Sequence, residues 1–315
     1  SAEKIEPIAT GRHNRSYRAT LADRESGDGP PAVLVRIAPA NQDAMVFYER
    51  PMMAQEPEIH ELVAQYTGVP VPRTLVYDDS CTALPVPFQV MEWIQGESVA
   101  DSRNCSGPAV DSLLEQVGRW LRELHECHEL YRREHGYLGA HRPMMPATSW
   151  TEAFADMWDR LIGDIERAGV YTAHEARDAR GALSRTIDAF AYDGPGRLLH
   201  MDLWVENVLV DRRCRPVALV DWDRALWGDP EIEFAVLDYV GFSTPALWRG
   251  YGGDPRAAVN PSYRGGREAE QVRRLFYHLY EVQKYLVIWT LRRRGRTHDV
   301  ARYREYALSQ LRRFA

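Results

Sequence analysis

The sequence predicts an α+β protein with two lobes: a small, strand-rich N-terminal lobe and a larger, helical C-terminal lobe that carries a β-hairpin. In the first hundred residues, short segments alternate or run apolar and are rich in β-branched side chains, which is typical of strands. After about Pro108 the apolar residues recur at helical spacing, and two short apolar runs, 207–211 and 217–221, interrupt the helices. We therefore predict two domains, residues 1–95 and 96–315.

The N-terminal elements follow from local pattern. Strands are predicted over Ser16–Ala22 and Ala32–Ala38, which are joined by a connector rich in turn residues, and over Pro87–Ile94. A helix is predicted over Glu58–Tyr66, because the preceding Pro57 is favoured in the first turn of a helix.

The C-terminal lobe shows four stretches of helical periodicity. They lie around Leu113–Leu124, over Trp150–Ala168 and Thr172–Phe190, and around Leu275–Trp289.

Composition narrows the class of protein. The chain has 315 residues and a formal net charge of −6, so it lacks the basic surplus of a nucleic-acid-binding protein. No apolar run approaches the ~18–20 residues of a membrane span. The four cysteines are far apart and form no CxxC pair, so we expect reduced thiols in a cytoplasmic protein without nucleic-acid or membrane partners. They are Cys81, Cys105, Cys127 and Cys214.

The predicted hairpin brings together polar residues that are unusual between buried strands. Asn207 follows Asp202 by five residues, and Asp221 comes fourteen residues after Asn207. Two antiparallel strands of about five residues with a short turn account for that interval, so Asn207 and Asp221 should lie side by side. Their amide and carboxylate oxygens suit Mg²⁺, which leaves Asp202 to accept a proton from a substrate hydroxyl. Phosphoryl transfer needs this combination of groups. Each residue alone could instead have a structural role in a turn.

The same segments resemble a known family. "HMDLWVEN", with His200, Asp202 and Asn207, resembles the catalytic loop of the aminoglycoside phosphotransferase and choline kinase family, relatives of the protein kinases. "LVDWDRALWGDPEIEFA" resembles its metal-binding segment, with Asp221 in the place of the magnesium-binding aspartate. With the weaker N-terminal matches, the resemblance runs from about residue 11 to residue 235. It implies a bilobal, protein-kinase-like fold and a nucleotide donor, ATP or GTP, used with Mg²⁺.

The resemblance also implies roles for individual residues. Asp202 would orient or deprotonate the acceptor hydroxyl, and His200 would brace the catalytic loop rather than react. Asn207 and Asp221 would hold magnesium. Asp223 could assist the metal, bind the loop or remain an ordinary surface carboxylate.

The N-terminal lobe would bind the nucleotide. "TGRHNRSYRAT", which contains Asn14 and Ser16, resembles the loop that covers the nucleotide. "PFQVMEWIQGES" resembles the hinge, where the backbone of Glu92 and Ile94 would meet the adenine edge and Met91 would pack behind it.

Two positions depart from the family pattern. Arg36 stands where the family carries a phosphate-binding lysine, and either Glu56 or Glu58 could be its partner glutamate. Met201 replaces the glycine usual between the histidine and the aspartate of the loop. The "DLW" of the loop is similar to the fructosamine kinase branch of the family.

The acceptor is less well defined by the sequence. An antibiotic is the first hypothesis, and a primary metabolite such as choline, a fructosamine or a sugar is the alternative. Classical aminoglycosides are polycations, and acidic residues of 151–178 could face them, although most should form a solvated helix face. The arginines of 292–296 follow a predicted helix C-terminus, where positive charge is favourable anyway, so we do not interpret them as an anion site.

Aromatic residues could stack on a large acceptor, although core packing is the better interpretation for Trp289 and fits Trp158 as well. The tryptophans considered are Trp150, Trp158, Trp204, Trp227, Trp248 and Trp289.

Two other functions compete with a kinase. "ALVDWD" imitates the DxD motif of a haloacid-dehalogenase-type phosphatase, but Lys284 is the only lysine downstream and lies in a predicted helix. An inactive nucleotide-binding module is disfavoured, because Asp202, Asn207 and Asp221 are all present.

Overall fold

A computed structural model describes most of the chain. The described residues are 2–8, 14–22, 32–50, 52–141, 143–257, 262–263, 265–293 and 295–314. The predicted connector at 23–31, residues 10–13 of the predicted nucleotide-covering loop and Arg294 lie outside them. The predicted α+β, two-lobed fold class is confirmed. The domain boundary at residue 95 stays a prediction.

An antiparallel sheet of five strands, in the order β1-β2-β3-β5-β4, forms the N-terminal part. The strands are β1 (Ala2–Ile8), β2 (Arg15–Leu21), β3 (Ala32–Ile37), β4 (Thr74–Asp78) and β5 (Phe88–Glu92). The three predicted strands are present, with ends shifted by one or two residues. The edge strand β1 was not predicted, because most of its side chains are exposed and it lacks an apolar alternation.

Helix α1 (Glu56–Tyr66) follows β3 and begins two residues before its predicted start. Pro57 lies in its first turn, where a missing backbone N–H costs nothing. Ile59 and Val63 anchor α1 in the core, so Glu56 is held at its N-terminal end.

The remaining helices form the larger part of the molecule. They are α2 (Pro108–Glu126), α3 (Trp150–Arg167), α4 (Ala173–Arg185), α5 (Pro230–Val240), α6 (Pro245–Tyr251), α7 (Gly266–Leu291) and α8 (Thr297–Leu311). The four predicted helical stretches correspond to α2, α3, α4 with a following 3₁₀ turn, and α7. Helices α2 and α6 pack closely because Gly118 and Gly250 each lie against a backbone carbonyl of the other helix, where a Cβ atom would overlap.

The predicted hairpin is set into this helical part. Its strands, β8 (Val208–Val210) and β9 (Pro216–Leu219), pair in a small sheet with β6 (Glu97–Ser98). The strand β7 (Arg197–Leu199) precedes the catalytic loop and pairs with β10 (Leu226–Gly228). The loop of residues 200–207 therefore has a short, buried strand on each side.

The expectation of four reduced thiols is wrong for two of them. Cys105 and Cys214 form a disulfide, with their Cα atoms 5.2 Å apart, that joins the segment before α2 to the turn between β8 and β9. The two cysteines are 109 positions apart and gave no sequence signal, because only the folded hairpin brings their side chains together. Cys81 and Cys127 are free thiols. A cytoplasmic location stays a prediction.

Candidate active site

A cavity of about 800 Å³ lies between the five-stranded sheet and the helical part. Of the twelve residues that the sequence proposed for the site, only His200 does not line it. The other eleven are Asn14, Ser16, Arg36, Glu56, Met91, Glu92, Ile94, Asp202, Asn207, Asp221 and Asp223. The sequence thus predicted one common site, although the structure by itself assigns no roles to these residues.

The half of the cavity next to the sheet, which we call the donor half, has apolar walls. Ile8 and Leu34 of the sheet and Leu209 and Val220 of the hairpin line it, and Met91 closes its back with 2% of its surface exposed. Walls of this kind suit a flat heteroaromatic base.

The hinge residues also line the donor half. The Glu92 N–H already donates to the carbonyl of Arg73 at 2.9 Å, so Glu92 has only its own carbonyl for a base edge. Ser16 lies opposite Arg36 in the β2–β3 pairing.

Arg36 lies at the centre of the polar part of the donor half, with 7% of its surface exposed. It donates to Glu56 at 2.5 Å, to Asp221 at 2.7 Å and to Asp223 at 3.0 Å. Glu56 is therefore its partner glutamate, and Glu58, which is exposed, is not. A lysine could supply the charge but not this planar fork of donors.

Three carboxylates crowd around this single guanidinium. Ligand oxygens of Glu56, Asp221 and Asp223 lie within 4.8 Å of one another. Burial raises the pKa of Asp223 to about 7, and Arg36 offsets only part of that effect. The side chain of Asp221 is 40% exposed, and its pKa is raised by a smaller amount in the same direction.

The cluster fits a divalent cation. Among the described residues, the buried Oδ1 of Asp223 has no hydrogen-bond partner, and one arginine leaves the three carboxylates with excess negative charge. Hard oxygen ligands with such an excess are what Mg²⁺ requires. Asp223 is 2% exposed and accepts from Asn14 at 3.2 Å, so the interpretation as a surface carboxylate is wrong.

The catalytic loop holds Asp202 from two sides. Asn207 Nδ2 donates to the Asp202 carboxylate at 3.0 Å and to its backbone carbonyl at 2.7 Å, which leaves the Asn207 amide oxygen as a candidate metal ligand. The Val220 N–H donates to the Asn207 carbonyl at 3.0 Å, so Asn207 and Asp221 are neighbours across the hairpin, as the spacing predicted.

Arg224 holds the other carboxylate oxygen of Asp202, at 2.6 Å. It also donates to Glu281 at 3.1 Å, and Glu281 pairs with Lys284. Burial alone would raise the pKa of Asp202, but the charges of Arg224 and Lys284 outweigh it and lower that pKa. Asp202 is therefore held as an ionised acceptor.

Sequence reasoning did not find Arg224, Glu281 and Lys284. Arg224 follows the "DWD" directly, and Lys284 is one of only two lysines in the chain. Both of these sequence features could have pointed to Arg224 and Lys284. Only the packing of α7 shows that Glu281 and Lys284 face the catalytic loop.

His200 is fully buried behind the loop. Its Nδ1 accepts from the Asp202 N–H at 3.3 Å, so Nε2 carries the proton and donates to the Val220 carbonyl at 3.2 Å. Burial lowers the pKa of His200, which favours this neutral form. The imidazole thus joins the catalytic loop to β9, an arrangement that fits the predicted bracing role.

The backbone conformation at Met201 explains why glycine is usual in the family at this position. Its φ is +63°, in the left-handed region that glycine adopts without strain. Its N–H donates to Glu233 Oε1 at 2.7 Å, and Glu233 Oε2 lies 2.7 Å from His125 of α2. The backbone of the loop is therefore fixed to both α5 and α2.

The tryptophans, acidic residues and arginines considered for acceptor binding do not all lie where the sequence analysis expected them. Of the six tryptophans considered, Trp204 and Trp289 line the cavity. Trp158 lies in the core as expected, and Trp289 is buried as expected, with 7% of its surface exposed, although it also borders the cavity. The acidic residues proposed from 151–178 do not line the cavity, and most pair with arginines on the helix surface. The arginines that were set aside, Arg292, Arg293 and Arg296, do line it.

Comparison with known proteins identifies relatives of the chain. A model of the phosphotransferase enzyme family matches residues 4–269, which is most of the chain.

Solved structures share its fold. A thermostable mutant of aminoglycoside phosphotransferase APH(4)-Ia is 17% identical, with a TM-score of 0.65 over 100% of this chain and 96% of that one. A candidate fructosamine-3-kinase from Thermobifida fusca is 19% identical, with a TM-score of 0.64 over 98% and 94%. At such identities the likeness shows the fold alone, which is that of the kinase-like phosphotransferases. A further variant of that thermostable mutant is seen in a ternary complex with AMP-PNP and hygromycin B.

Curated relatives are longer proteins. Acyl-CoA dehydrogenase family member 11 of Rattus norvegicus is 23% identical over 252 residues, which cover 73% of this chain and 30% of the relative. The Homo sapiens protein of that name is 20% identical over 74% of this chain and 29% of its own length. The chain thus spans under a third of the curated relatives it matches. No helix in the described part of the chain has the length and apolar character to cross a membrane.

Proposed function

Because the chain belongs to the phosphotransferase enzyme family, we propose that it transfers the γ-phosphoryl group of ATP or GTP to a hydroxyl group of a small molecule. One observation carries the proposal: Asp202, Asn207 and Asp221 converge in a single cavity, next to an arginine that can bind phosphate.

The donor would occupy the half of the cavity between the sheet and the hairpin. Its base would lie between Leu34 and Leu209, against Met91, with its edge at the Glu92 carbonyl and the Ile94 N–H. Its phosphates would reach Arg36, whose fork matches phosphate oxygens. Asn14 and Ser16 would cover them from β2.

The metal ligands would be Asp221 and the Asn207 amide oxygen, with Asp223 beside them. A bound Mg²⁺ would neutralise charge on the donor phosphates. Arg36 donates to both aspartates, so donor phosphates and these carboxylates would compete for its N–H groups.

Asp202 would act on the acceptor. Its ionised carboxylate would accept the hydroxyl proton while the hydroxyl oxygen bonds to the γ-phosphorus, and the bond from that phosphorus to the bridging oxygen breaks. Arg224 and Asn207 fix the direction of the carboxylate. This positioning lowers the entropic part of the barrier.

The acceptor would be an antibiotic or a primary metabolite. An aminoglycoside fits poorly, because the acidic residues proposed to bind a polycation lie outside the cavity. We therefore place uncharged and acidic antibiotics and small metabolites ahead of polycations. Hydroxylated acyl thioesters belong among the candidates, because the curated relatives have an acyl-CoA name.

A substrate panel with labelled ATP and GTP tests the proposal. It should contain aminoglycosides, macrolides, nucleoside and peptide antibiotics, choline, fructosamines, sugars and hydroxyacyl thioesters. We expect label transfer to at least one compound with Mg²⁺, a mass gain of one phosphoryl group, and loss of transfer in Asp202→Asn. Release of phosphate from phosphorylated compounds without a nucleotide would instead favour a phosphatase, and nucleotide binding without any transfer would favour an inactive module.

A further inference from the structure

The cavity extends beyond the catalytic loop into a second half, the acceptor half, which lies between α5, α7 and the residues after α7. We propose that this half binds an anionic acceptor: a molecule with a hydroxyl at one end, an apolar or aromatic body, and a carboxylate or phosphate at the other end. The inference rests on the proposed function and adds the chemical class of its substrate.

One face of α7 forms the long wall of the acceptor half. Its members recur at intervals of three and four residues, so they form a single stripe along the helix. In order they are Glu281, Lys284, Tyr285, Ile288, Trp289 and Arg292. The stripe begins at the Arg224–Asp202 pair, because Glu281 accepts from Arg224, and it ends at the mouth of the cavity.

The middle of this wall is apolar and aromatic. Tyr285 stacks on Trp289 with ring centroids 5.0 Å apart, and Tyr239 of α5 stacks on Tyr285 at 5.5 Å. Ile288 and Val240 also face the cavity. A surface of this composition binds an apolar body rather than a heavily hydroxylated, charged one.

The carboxylates of the acceptor half all have a cationic partner. Asp202 and Glu281 both accept from Arg224, and Glu49 pairs with Arg292 at 2.7 Å. An ammonium group of an acceptor would have to compete with an existing cation at each of them. Among the residues that the structure describes, this half thus offers no ready site for a polycation.

The cations at the mouth of the cavity, Arg293 and Arg296, are less firmly paired than these carboxylates. Arg293 is exposed and forms no ion pair within the described part of the chain. Arg296 packs over Trp289 at 4.7 Å, and its partner Asp299 does not line the cavity. An exposed ion pair of this kind contributes little, so Arg296 can turn to a ligand at small cost.

The distance along α7 sets the expected length of the acceptor. Arg292, the residue that follows α7, lies eleven positions after Glu281 and eight after Lys284, which corresponds to about 12–17 Å at a rise of ~1.5 Å per residue. A molecule that reaches Asp202 with its hydroxyl would place an anionic group at the arginines if the two ends are about that far apart. The acidic residues near the hinge and in the catalytic loop, Glu97, Asp101 and Glu206, are not on this wall.

Matched acceptors test the inference. Each set has one hydroxyl-bearing aryl-alkyl scaffold of about that length, ending in a carboxylate, a phosphate, an uncharged amide or an amine. Wild-type kcat/KM should be at least about tenfold higher for an anionic member than for the amine, and higher salt should reduce the difference. Comparison of the carboxylate and phosphate members decides which anion the mouth prefers.

Reversing the charge of Arg293 and Arg296 tests whether these arginines cause the anion preference. In Arg293→Glu/Arg296→Glu, kcat/KM for the anionic members should fall about tenfold, while that for the amide should change less than about twofold. The matched control is Arg133→Glu/Arg177→Glu, which reverses two exposed arginines that do not line the cavity and should leave the preference intact.

Different results would contradict the proposed kinase function and the proposed anionic acceptor class. If wild type transfers label to a cationic or uncharged member as well as to the anionic one, or if the anion preference survives the charge reversal, the inference is wrong and the kinase function stands. If neither these sets nor the wider panel accepts label, the proposed function fails, and the inference fails with it. Thermal-shift binding of the same sets with a non-hydrolysable ATP analogue provides a second readout without turnover.

Discussion

The donor half and the acceptor half of the cavity differ in how the chain builds them. The donor half consists mainly of short segments with fixed internal spacing, such as the catalytic loop and the hairpin that follows it. The acceptor half consists of helix faces whose residues are spaced three and four apart and satisfy equally well the pattern of an ordinary buried helix. Local chemistry is therefore visible in the first case, and only packing shows it in the second.

The two halves meet at Asp202. Its carboxylate has one oxygen on Asn207, from the donor half, and the other on Arg224, which leads to α7 and the acceptor half. Variants on the donor side should therefore change the KM for the nucleotide, and variants on the acceptor side should change the KM for the acceptor.

The largest effect is expected where the halves meet. Asp202→Asn should lower kcat by on the order of 10²–10⁴-fold, because the variant keeps the shape of the side chain but cannot accept the hydroxyl proton. Nucleotide affinity, measured by calorimetry, should change little. Near-normal turnover would remove Asp202 from the role of base.

The next effect lies entirely in the donor half. Asp221→Ala should abolish magnesium-dependent nucleotide binding, because a carboxylate ligand is lost. The fold should survive, because the Asp221 side chain is 40% exposed. Titration of Mg·ATP by calorimetry measures this. The control, Asp178→Ala on the exposed face of α4, should bind normally, and an unchanged titration for Asp221→Ala would contradict the assignment.

Arg36 should give a graded effect in the same half. Arg36→Ala should raise the nucleotide KM and lower kcat, by about 10–100-fold in kcat/KM, because Glu56, Asp221 and Asp223 then lose the cation that they share. Arg36→Lys should recover only part of the loss, since an ammonium group lacks the fork. Steady-state kinetics with varied nucleotide check this; equal constants in all three proteins would mean that Arg36 does not contact phosphate.

A smaller effect with the opposite selectivity is expected for Arg224. Arg224→Lys keeps the charge but cannot reach Asp202 and Glu281 at once with the same geometry. We expect kcat to fall about tenfold and the acceptor KM to rise, with the nucleotide KM unchanged. A rise in the nucleotide KM alone would show that the two halves are not separate at this residue.

The smallest effect on activity is expected at Met201, where two contributions to stability oppose each other. Glycine would relieve a left-handed φ that costs about 1–2 kcal/mol, but would remove a fully buried side chain worth about 2–5 kcal/mol. Met201→Gly should therefore lower the free energy of unfolding by roughly 1–3 kcal/mol by that difference, with kcat within about twofold of wild type. Denaturant unfolding measures it, and a more stable variant would mean that strain dominates at this loop.

The sequence predicted the donor half well because its signals are local. The five-position spacing from Asp202 to Asn207 and the hairpin between Asn207 and Asp221 fix the geometry over short distances, and Asn207 lies opposite Val220, the residue before Asp221. The choice between Glu56 and Glu58 could not be made in this way. Only the start of α1 at Glu56, two residues before the predicted start, turns the first of them toward Arg36.

The acceptor half and the disulfide could not be predicted for a common physical reason. The contact between Arg224 and Glu281 joins residues 57 positions apart, and the Cys105–Cys214 bond joins residues 109 apart. Neither pairing has a periodic or motif signal. The arginines after α7 were set aside because a helix C-terminus explains their charge, and that explanation remains correct alongside their position at the mouth.

The disulfide also changes how far apart the two strands β6 and β8 are along the covalent network. Ser98 of β6 pairs with Leu209 of β8, which lies 111 residues later in the chain. Through the bond between Cys105 and Cys214 the path has only seven residues on one side and five on the other. Since the entropy lost on closing a loop grows with the logarithm of its length, this shorter path lowers the closure cost of that pairing by about 2 kcal/mol. In the oxidised chain, a long-range contact beside the catalytic loop becomes, in polymer terms, a local one.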